Sequence, residues 1–465
     1  MRSHAARAAE FLKDPERVRW HDRALWYVRE KRDRMARGVP DWEALRETAQ
    51  AIKRHTLANL PRYLDEFERN AASRGAVVHY AVDAAEHNDI VLDILRGKGA
   101  QLVVKSKSML TEECGLNALL EQNGVTVVES DLGERIIQLA GERPSHIVLP
   151  AIHLKKEEVG EIFHRHLGTP TGEADPAALT RAARAHLREK FLSAQAGISG
   201  VNFAVAETGA IVVCTNEGNA DLGSSLPDLY IASMGIEKVI PRSRDLAVFL
   251  RLLSRSATGQ PISAYTTHIL GPRPGQEMHI VIVDNGRSGI LRKEKFHRAA
   301  FCIRCGACLN TCPVNRRSGG HSYNDIIPGP IGAILAPHRS LNKYKDMPYA
   351  STLCGSCSAV CPVKIDIHRQ IVLWRGEVVE AGYLGRVKTL ALKTLTLVMK
   401  NTAVFAAGGW LARQTMRRLP AFIFNNRLTV WGRTRDFPRM PARSFRSQYR
   451  RRLRRKEKEK RGENG

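Results

Sequence analysis

The chain has 465 residues, 43% hydrophobic and 26% charged, and its 72 Lys and Arg against 47 Asp and Glu give a formal net charge of +25. That length exceeds one ordinary domain and can bury sizeable cores, so two to four domains are expected; a global charge without a base-reading motif sets nucleic acid aside as a partner. The start MRSHAARAAEFLKDPERVRW has no apolar stretch of signal-peptide length and carries early acidic residues, so a reducing cytosol is the expected compartment and the nine cysteines are not read as a disulfide framework.

Residues 1–72 read as a helical segment in which Trp20, Leu25, Trp26 and Val28, then Leu45, Ile52, Leu57 and Leu60, punctuate many charges. Asp41, after Gly38 and Pro40, is placed to cap the second helix. The segment is expected to cover or dock on another part of the protein, with its charged faces in solvent. From 73 to 290 short β-branched runs alternate with helical stretches. Strands are expected over 76–80, 101–104, 126–129, 146–149, 202–205, 210–214 and 279–283, and helices near 84–97, 111–123, 132–141, 155–167, 176–194 and 244–256. This alternation predicts an α/β domain built on a mostly parallel sheet, with ligands gathered at the carboxyl ends of its strands.

Two stretches sit where that rule places a site. Lys105-Ser106-Lys107-Ser108-Met109 runs into Thr111-Glu112-Glu113 at a helix start, where lysines and hydroxyls can hold a carboxylate or phosphate. The plainer alternative is that Ser108 or Thr111 caps the helix and the lysines are exposed. Glu207-Thr208-Gly209 forms a turn between strands, and polar residues crowd Thr215-Asn216-Glu217-Gly218-Asn219-Ala220-Asp221 just beyond. In a substrate pocket, Lys105 or Lys107 would pair with a carboxylate and Glu207 would be the candidate base; no catalytic residue is assigned. Cys114 and Cys214 read as buried small hydrophobes. His164 and His166, two apart on a predicted helix, face different ways, and no histidine pair has metal-ligand spacing. Neither a GxGxxG after a strand nor a P-loop occurs, so a tightly bound nicotinamide or flavin is not indicated.

Residues 291–375 hold the densest chemistry: Cys302-x-x-Cys305-x-x-Cys308-x-x-x-Cys312-Pro313 and Cys354-x-x-Cys357-x-x-x-Cys361-Pro362. The first is the bacterial ferredoxin spacing, in which three thiolates hold one cubane and the fourth reaches to a second. Small Gly306 and Ala307 let the backbone curl around inorganic sulfide, and each proline turns the chain away. Structural zinc needs no third cysteine at the same short interval followed by Cys-Pro. By the crossed pattern, Cys302, Cys305, Cys308 and Cys361 hold one cluster, and Cys312, Cys354 and Cys357 hold the other. Ser351 stands at the remaining ligand position. The last iron of the second cluster is then bound by Ser351, a water or a partner's ligand, or is absent in a three-iron centre. Forty-one residues part Cys312 from Cys354, and the second run leads into a helix carrying Ile367, Ile371, Val372 and Val378, so an α-helical ferredoxin-type domain is expected. Arg304 and Lys364, beside the first and last ligands, would favour reduced clusters on close approach; solvated surface is the simpler reading.

Residues 376–465 are expected to be helical and then to end in an extended basic tail, RRRLRRKEKEKR, beyond Pro438 and Pro441. The stretch from Leu390 to Met416 is interrupted by Lys393, Lys400 and Arg413 and is too short of uncharged residues for a membrane span. Its apolar face is expected to pack on protein or lie at a membrane interface, and the tail to meet a membrane surface or an acidic protein.

KSKSMLTEECGLN, AETGAIVVCTNEGNADL, CIRCGACLNTCPV followed by GGHSYNDIIPGPIGA, and LCGSCSAVCPVKIDI together closely resemble the iron–sulfur B subunits of bacterial L-lactate utilisation systems, within the lactate-utilisation-domain family. The resemblance spans nearly the whole chain. It implies an α/β region of sugar-phosphate isomerase and CoA-transferase type, and two [4Fe-4S] clusters on the seven cysteines, the second with three protein thiolates. It also implies oxidation of L-lactate to pyruvate with two partner subunits, one rich in cysteine motifs and one resembling the α/β region alone. The function expected is an electron-transfer subunit of an oxidoreductase complex in the cytoplasm or at the inner membrane face. Relay for another 2-hydroxy-acid oxidase and a redox-sensing scaffold are the alternatives.

Overall fold

The structure, a computed structural model, describes residues 2–462 except 424, 427, 429–431, 433, 434 and 437. The chain divides into two compact units, residues 1–380 and 381–465.

The first unit opens with helices α1 (His4–Phe11), α2 (Pro15–Arg37), α3 (Trp42–Ala58) and α4 (Leu60–Ala72). Asp14 starts α2: its carboxylate accepts the N–H groups of Glu16 and Arg17 at 3.1 and 2.9 Å, and Pro15 fills the first turn. Asp41 stands at the start of α3 but makes no capping bond; its carboxylate pairs with Arg251 at 2.8 Å.

Ten strands follow: β1 (Ala76–Ala81), β2 (Leu102–Lys105), β3 (Thr126–Glu129), β4 (Ala196–Gly200), β5 (Phe203–Val205), β6 (Ala210–Thr215), β7 (Leu229–Gly235), β8 (Val239–Ile240), β9 (Tyr265–Ile269) and β10 (Glu277–Val283). Six form an all-parallel sheet in the order β1-β10-β7-β4-β2-β3. Alternate residues of β10 serve opposite faces: Met278, Ile280 and Ile282 enter one core, Val281 and Val283 the other. The first of these cores runs on without a break through α3 and α4 to Phe301, Leu309, Ile334 and Trp374 around the cysteine runs. The helical segment, the α/β region and the cysteine region are therefore packed into one body.

The second sheet, β8-β5-β6-β9, is mostly antiparallel and was not anticipated as a separate layer. Four strands lie outside the expected set: β4, β7, β9 and the two-residue β8. β4 (AGISG) is made almost wholly of small residues because helix Asn219–Ser225 lies close over it: a Cβ on Gly197 would collide with the Gly223 carbonyl; β7 (LYIASMG) is buried along its whole length and lacks the polar alternation of a half-exposed strand. β9 is a half-exposed edge. The expected strand at 146–149 is instead a loop. There the His146 ring nitrogen accepts the N–H groups of Val148 and Leu149 at 3.1 and 3.0 Å, a local bond that competes with strand pairing. The expected helix at 111–123 breaks at Gly115, left-handed at φ +69°, into Met109–Cys114 and Leu116–Gln122.

In the second unit, helices Arg386–Lys400 and Thr402–Arg418 bury no residue. Among the described residues no single helix is long and apolar enough to cross a membrane; these two pass that test only together, bent by 109° at their junction. The basic run is helical over Phe445–Gly462 rather than extended. Arg, Lys, Glu and Leu are good helix formers, an Arg455–Glu459 pair at 3.1 Å adds i,i+4 support, and Pro438 and Pro441 lie before the helix start.

Candidate functional site

The two cysteine runs repeat one backbone conformation at an offset of 49 residues. Gly306 and Gly355 are both left-handed, at φ +75° and +78°, and each opens a five-residue helix, Ala307–Thr311 and Ser356–Val360. Arg304 and Leu353 also match, at φ +61° and +56°. The Arg304 N–H points to Cys302 Sγ at 3.4 Å, and the Leu353 N–H to Ser351 Oγ at 3.1 Å. Ser351 therefore occupies in the second run the place of Cys302 in the first.

All nine cysteines are free thiols. Burial leads the upward shift of the shifted thiols, and neighbouring cysteines add to it in a way that sorts them. Cys305 feels Cys361 and Cys302, while Cys312 feels Cys354. Cys357 is pushed up to about 12 by burial and then by Cys312 and Cys354, and Cys308, raised first by burial, is within electrostatic reach of both sets through Cys302, Cys305, Cys357 and Cys361. Amide N–H groups converge on the sulfurs, Ala307 on Cys305, Val314 and Asn315 on Cys312, and Val363 and Ile365 on Cys361. Soft thiols in two adjoining sets, with amide donors aimed at them, fit iron–sulfur clusters, whose irons would displace the thiol protons.

The N-terminal helices grip this region, against the expectation that their charges are solvated. Arg46 donates to the Cys361 carbonyl through Nε at 3.0 Å and Nη2 at 2.8 Å, and to Ala359 O at 2.8 Å; Arg32 donates to Val360 O at 3.0 Å. Arg29 bridges Thr311 and Ser356, one residue from each run's helix. The sequence did hold a signal for Arg32: it follows Val18 and Leu25 at sevenfold spacing, on the stripe of α2 that is buried.

At the carboxyl ends of the parallel strands lies a cavity of about 260 Å³, lined by both stretches singled out in the sequence, including Ser106, Lys107, Asn216 and Asn219, and also by Lys238 and Arg304. Lys107 reaches Glu134 at 3.0 Å and Val148 O at 2.9 Å. Lys105 does not face this cavity. It is fully buried between Glu129 at 2.7 Å and Glu112 at 3.1 Å, so it cannot serve a substrate carboxylate. Glu207 is also elsewhere: it is exposed, and its carboxylate accepts the Ser243 N–H at 2.9 Å at the start of helix Ser243–Ala257. Arg304 is not solvated surface but lies beside Glu113 at 3.4 Å; Lys364 is a surface residue paired with Glu47 at 2.7 Å. Cys114 is buried as expected, whereas Cys214 is half-buried on the cavity wall. The fold also gathers Glu142, His153 and His321 within 4.8 Å of one another, a grouping their distant positions conceal. His153 bonds Glu142 at 2.6 Å and Ser145 Oγ at 2.7 Å.

The comparisons with known proteins agree with this layout. A LUD domain model matches residues 64–288, and a 4Fe-4S dicluster domain model matches residues 298–365. Lactate utilization protein B of Macrococcus caseolyticus is 42% identical over 92% of this chain and 92% of its own. The chain belongs to the lactate utilization protein B family. The proteins of that name from Bacillus cytotoxicus and Geobacillus thermodenitrificans are 43% and 44% identical, each over 88% of this chain and 88% and 89% of their own. As a lactate utilization protein B family member with a dicluster domain, the chain is an iron–sulfur protein.

Within this family member the two left-handed glycines make unequal demands. A Cβ on Gly306 would meet His146 Cε1 and Val148 Cγ2, each at 3.0 Å, while one on Gly355 would meet nothing within 4 Å. Gly355→Ala is expected to cost about 1–2 kcal/mol from its positive φ alone. Gly306→Ala is expected to cost more and to lower the iron bound per chain; urea unfolding and iron analysis of anaerobically purified variants check both.

Proposed function

We propose that this chain is the electron-relay subunit of a complex that oxidises L-lactate to pyruvate. Its partners would be two further subunits, one rich in cysteine motifs and one resembling the α/β region alone. The observation that carries the reading is the gathering of seven cysteines into two adjoining sets, five of them buried, with Cys302 half-buried and Cys354 exposed. Cys302, Cys305, Cys308 and Cys361 would hold one [4Fe-4S] cluster, and Cys312, Cys354 and Cys357 the other. Two bound clusters supply two one-electron carriers, the number a two-electron oxidation of a hydroxyl to a ketone requires. The protein's own contribution is to hold the thiols, exclude water and set local charge. Arg32 and Arg46 fasten the second run, and the buried Lys53 stands within electrostatic reach of Cys302. Exposed Cys354 marks the edge of the second set, where a partner subunit could approach.

The test is anaerobic: the isolated chain, then the chain with both partners, is mixed with L-lactate and followed by EPR. Both clusters are expected to be reduced only when the partners are present. Clusters that stay oxidised in the reconstituted, turning-over complex would replace the relay with the scaffold reading.

The second unit supports a placement at the inner face of the cytoplasmic membrane. Residues 381–465 hold 22 Lys and Arg against 4 Asp and Glu. Its helices also expose Leu390, Leu397, Phe405, Trp410 and Phe422. Apolar and aromatic side chains beside dense positive charge suit an anionic lipid interface. The full chain is expected to sediment with vesicles of phosphatidylglycerol at low salt and to be released as salt rises or when residues 381–465 are removed. Neutral phosphatidylcholine vesicles should not retain it, and equal retention by both would contradict this placement.

A further inference from the structure

The cavity beside the first cysteine run carries polar groups that the protein leaves without partners. Glu113 and Glu237 are answered by Arg287, at 2.9 and 2.7 Å, and by Arg304, at 3.4 and 3.9 Å. Lys238, a half-buried residue of the cavity wall, makes no hydrogen bond or salt bridge with any described residue; Glu237 and Cys302 act on it only at longer range. Arg304 Nη1 is buried without a hydrogen-bond partner. Asn219, only 4% exposed, gives its Nδ2 to Ser130 Oγ at 3.3 Å but leaves Oδ1 with no donor. Fully buried Lys53, bonded only to the Glu237 carbonyl, adds another ammonium behind the wall. Lys107, Lys238, Arg287 and Arg304 line the cavity together with Glu113, Asp131, Glu217 and Glu237, so what the wall leaves open is partners rather than charge: Lys238, Arg304 Nη1 and Asn219 Oδ1 are polar groups whose burial is costly unless a ligand bonds them.

We propose that this cavity binds a small hydroxycarboxylate. Lys238 and Arg304 Nη1 would take its carboxylate, and Asn219 Oδ1 would accept the proton of a hydroxyl. The assignment rests on the lactate-oxidation reading for its class of ligand, and adds to it the subunit, the cavity and the residues. It also puts the ligand beside Cys302, which lies within electrostatic reach of Lys238. An acceptor such as Asn219 Oδ1 favours a hydroxyl over a carbonyl, so L-lactate should bind more tightly than pyruvate.

Calorimetric titration of the anaerobically purified full chain, clusters in place and partners absent, tests this with L-lactate, pyruvate and inorganic phosphate as probes. L-Lactate is expected to bind the wild type and to perturb the EPR signal of the reduced chain. Lys238→Met should weaken that binding about tenfold to a hundredfold, the worth of one charge-assisted hydrogen bond, with iron and sulfide contents unchanged. Lys238→Gln, which keeps a donor, should act in the same direction if the charge matters. No binding to the wild type overturns the proposal, as does phosphate binding as tightly as L-lactate. Equal affinity in Lys238→Met with only a lowered cluster potential also overturns it, because Lys238 is then a counter-charge for the cluster. In each of these cases reduction of the clusters by lactate with partners present would leave the relay intact, so the two readings fail separately.

Discussion

Cys361→Ala is expected to remove the same cluster as Cys302→Ala, although Cys361 lies in the other run. Each variant should retain about half the iron and sulfide of the wild type, with the EPR signal of the surviving cluster unchanged, since an alanine methyl leaves no sulfur or oxygen donor in the thiolate's place, whereas Ser351 stands at the corresponding position of the second run. Cys312→Ala should instead share its losses with Cys357→Ala. The grounds are electrostatic: Cys361 helps push up the Cys305 thiol and is itself pushed up by Cys302, while Cys354 helps push up Cys312 and both of these help push up Cys357. If Cys361→Ala and Cys312→Ala abolished the same signal, the crossed arrangement would be wrong. Cys308, which feels the charge of members of both sets, is the residue at the junction.

The second large effect is on stability. Lys105→Met is expected to destabilise the folded chain by about 3–5 kcal/mol, because it strands Glu129 without a cation in the interior. Glu129 is 3% exposed, and besides Lys105 it has only the Asn117 amide, at 2.7 Å, to hold its charge. Burial already raises the Glu129 carboxyl above its ordinary value of 4.5, against the pull of Lys105. Without that lysine the carboxyl rises further. An acid whose folded value is raised costs nothing below its unfolded value and progressively more above it. The deficit of Lys105→Met should therefore be small near pH 4.5 and keep growing as pH rises, whereas that of a lost surface pair is smaller and levels off once pH has passed the ordinary carboxylate range. Urea midpoints between pH 5 and pH 8 would show it; a deficit independent of pH would mean that Glu129 is hydrated or paired another way.

How much of this was legible beforehand differs from element to element. The two cysteine runs, their Cys-Pro endings and the Gly306 turn are written in local spacing, since a loop that curls around a small inorganic core spans only a few residues. Helices such as Ala84–Gly97 and Pro176–Ser193 were equally plain from their periodicity and caps. The two stretches flanking the cavity were found because polar residues crowd the ends of strands.

What the sequence by itself determined, then, is the chemistry the chain can hold and the alternation that builds a parallel sheet. The tertiary structure alone decided which lysine faces the cavity and which is locked inside, that Glu207 caps a helix, and that Arg32, Arg46 and Lys53 turn inward. It also decided that the small-residue segment AGISG becomes the central strand β4, and that LYIASMG, buried on both faces, becomes β7. The physical reason is range: backbone conformation and ligand spacing are set by near neighbours, whereas the fate of a charge or a small residue depends on what distant chain is packed against it.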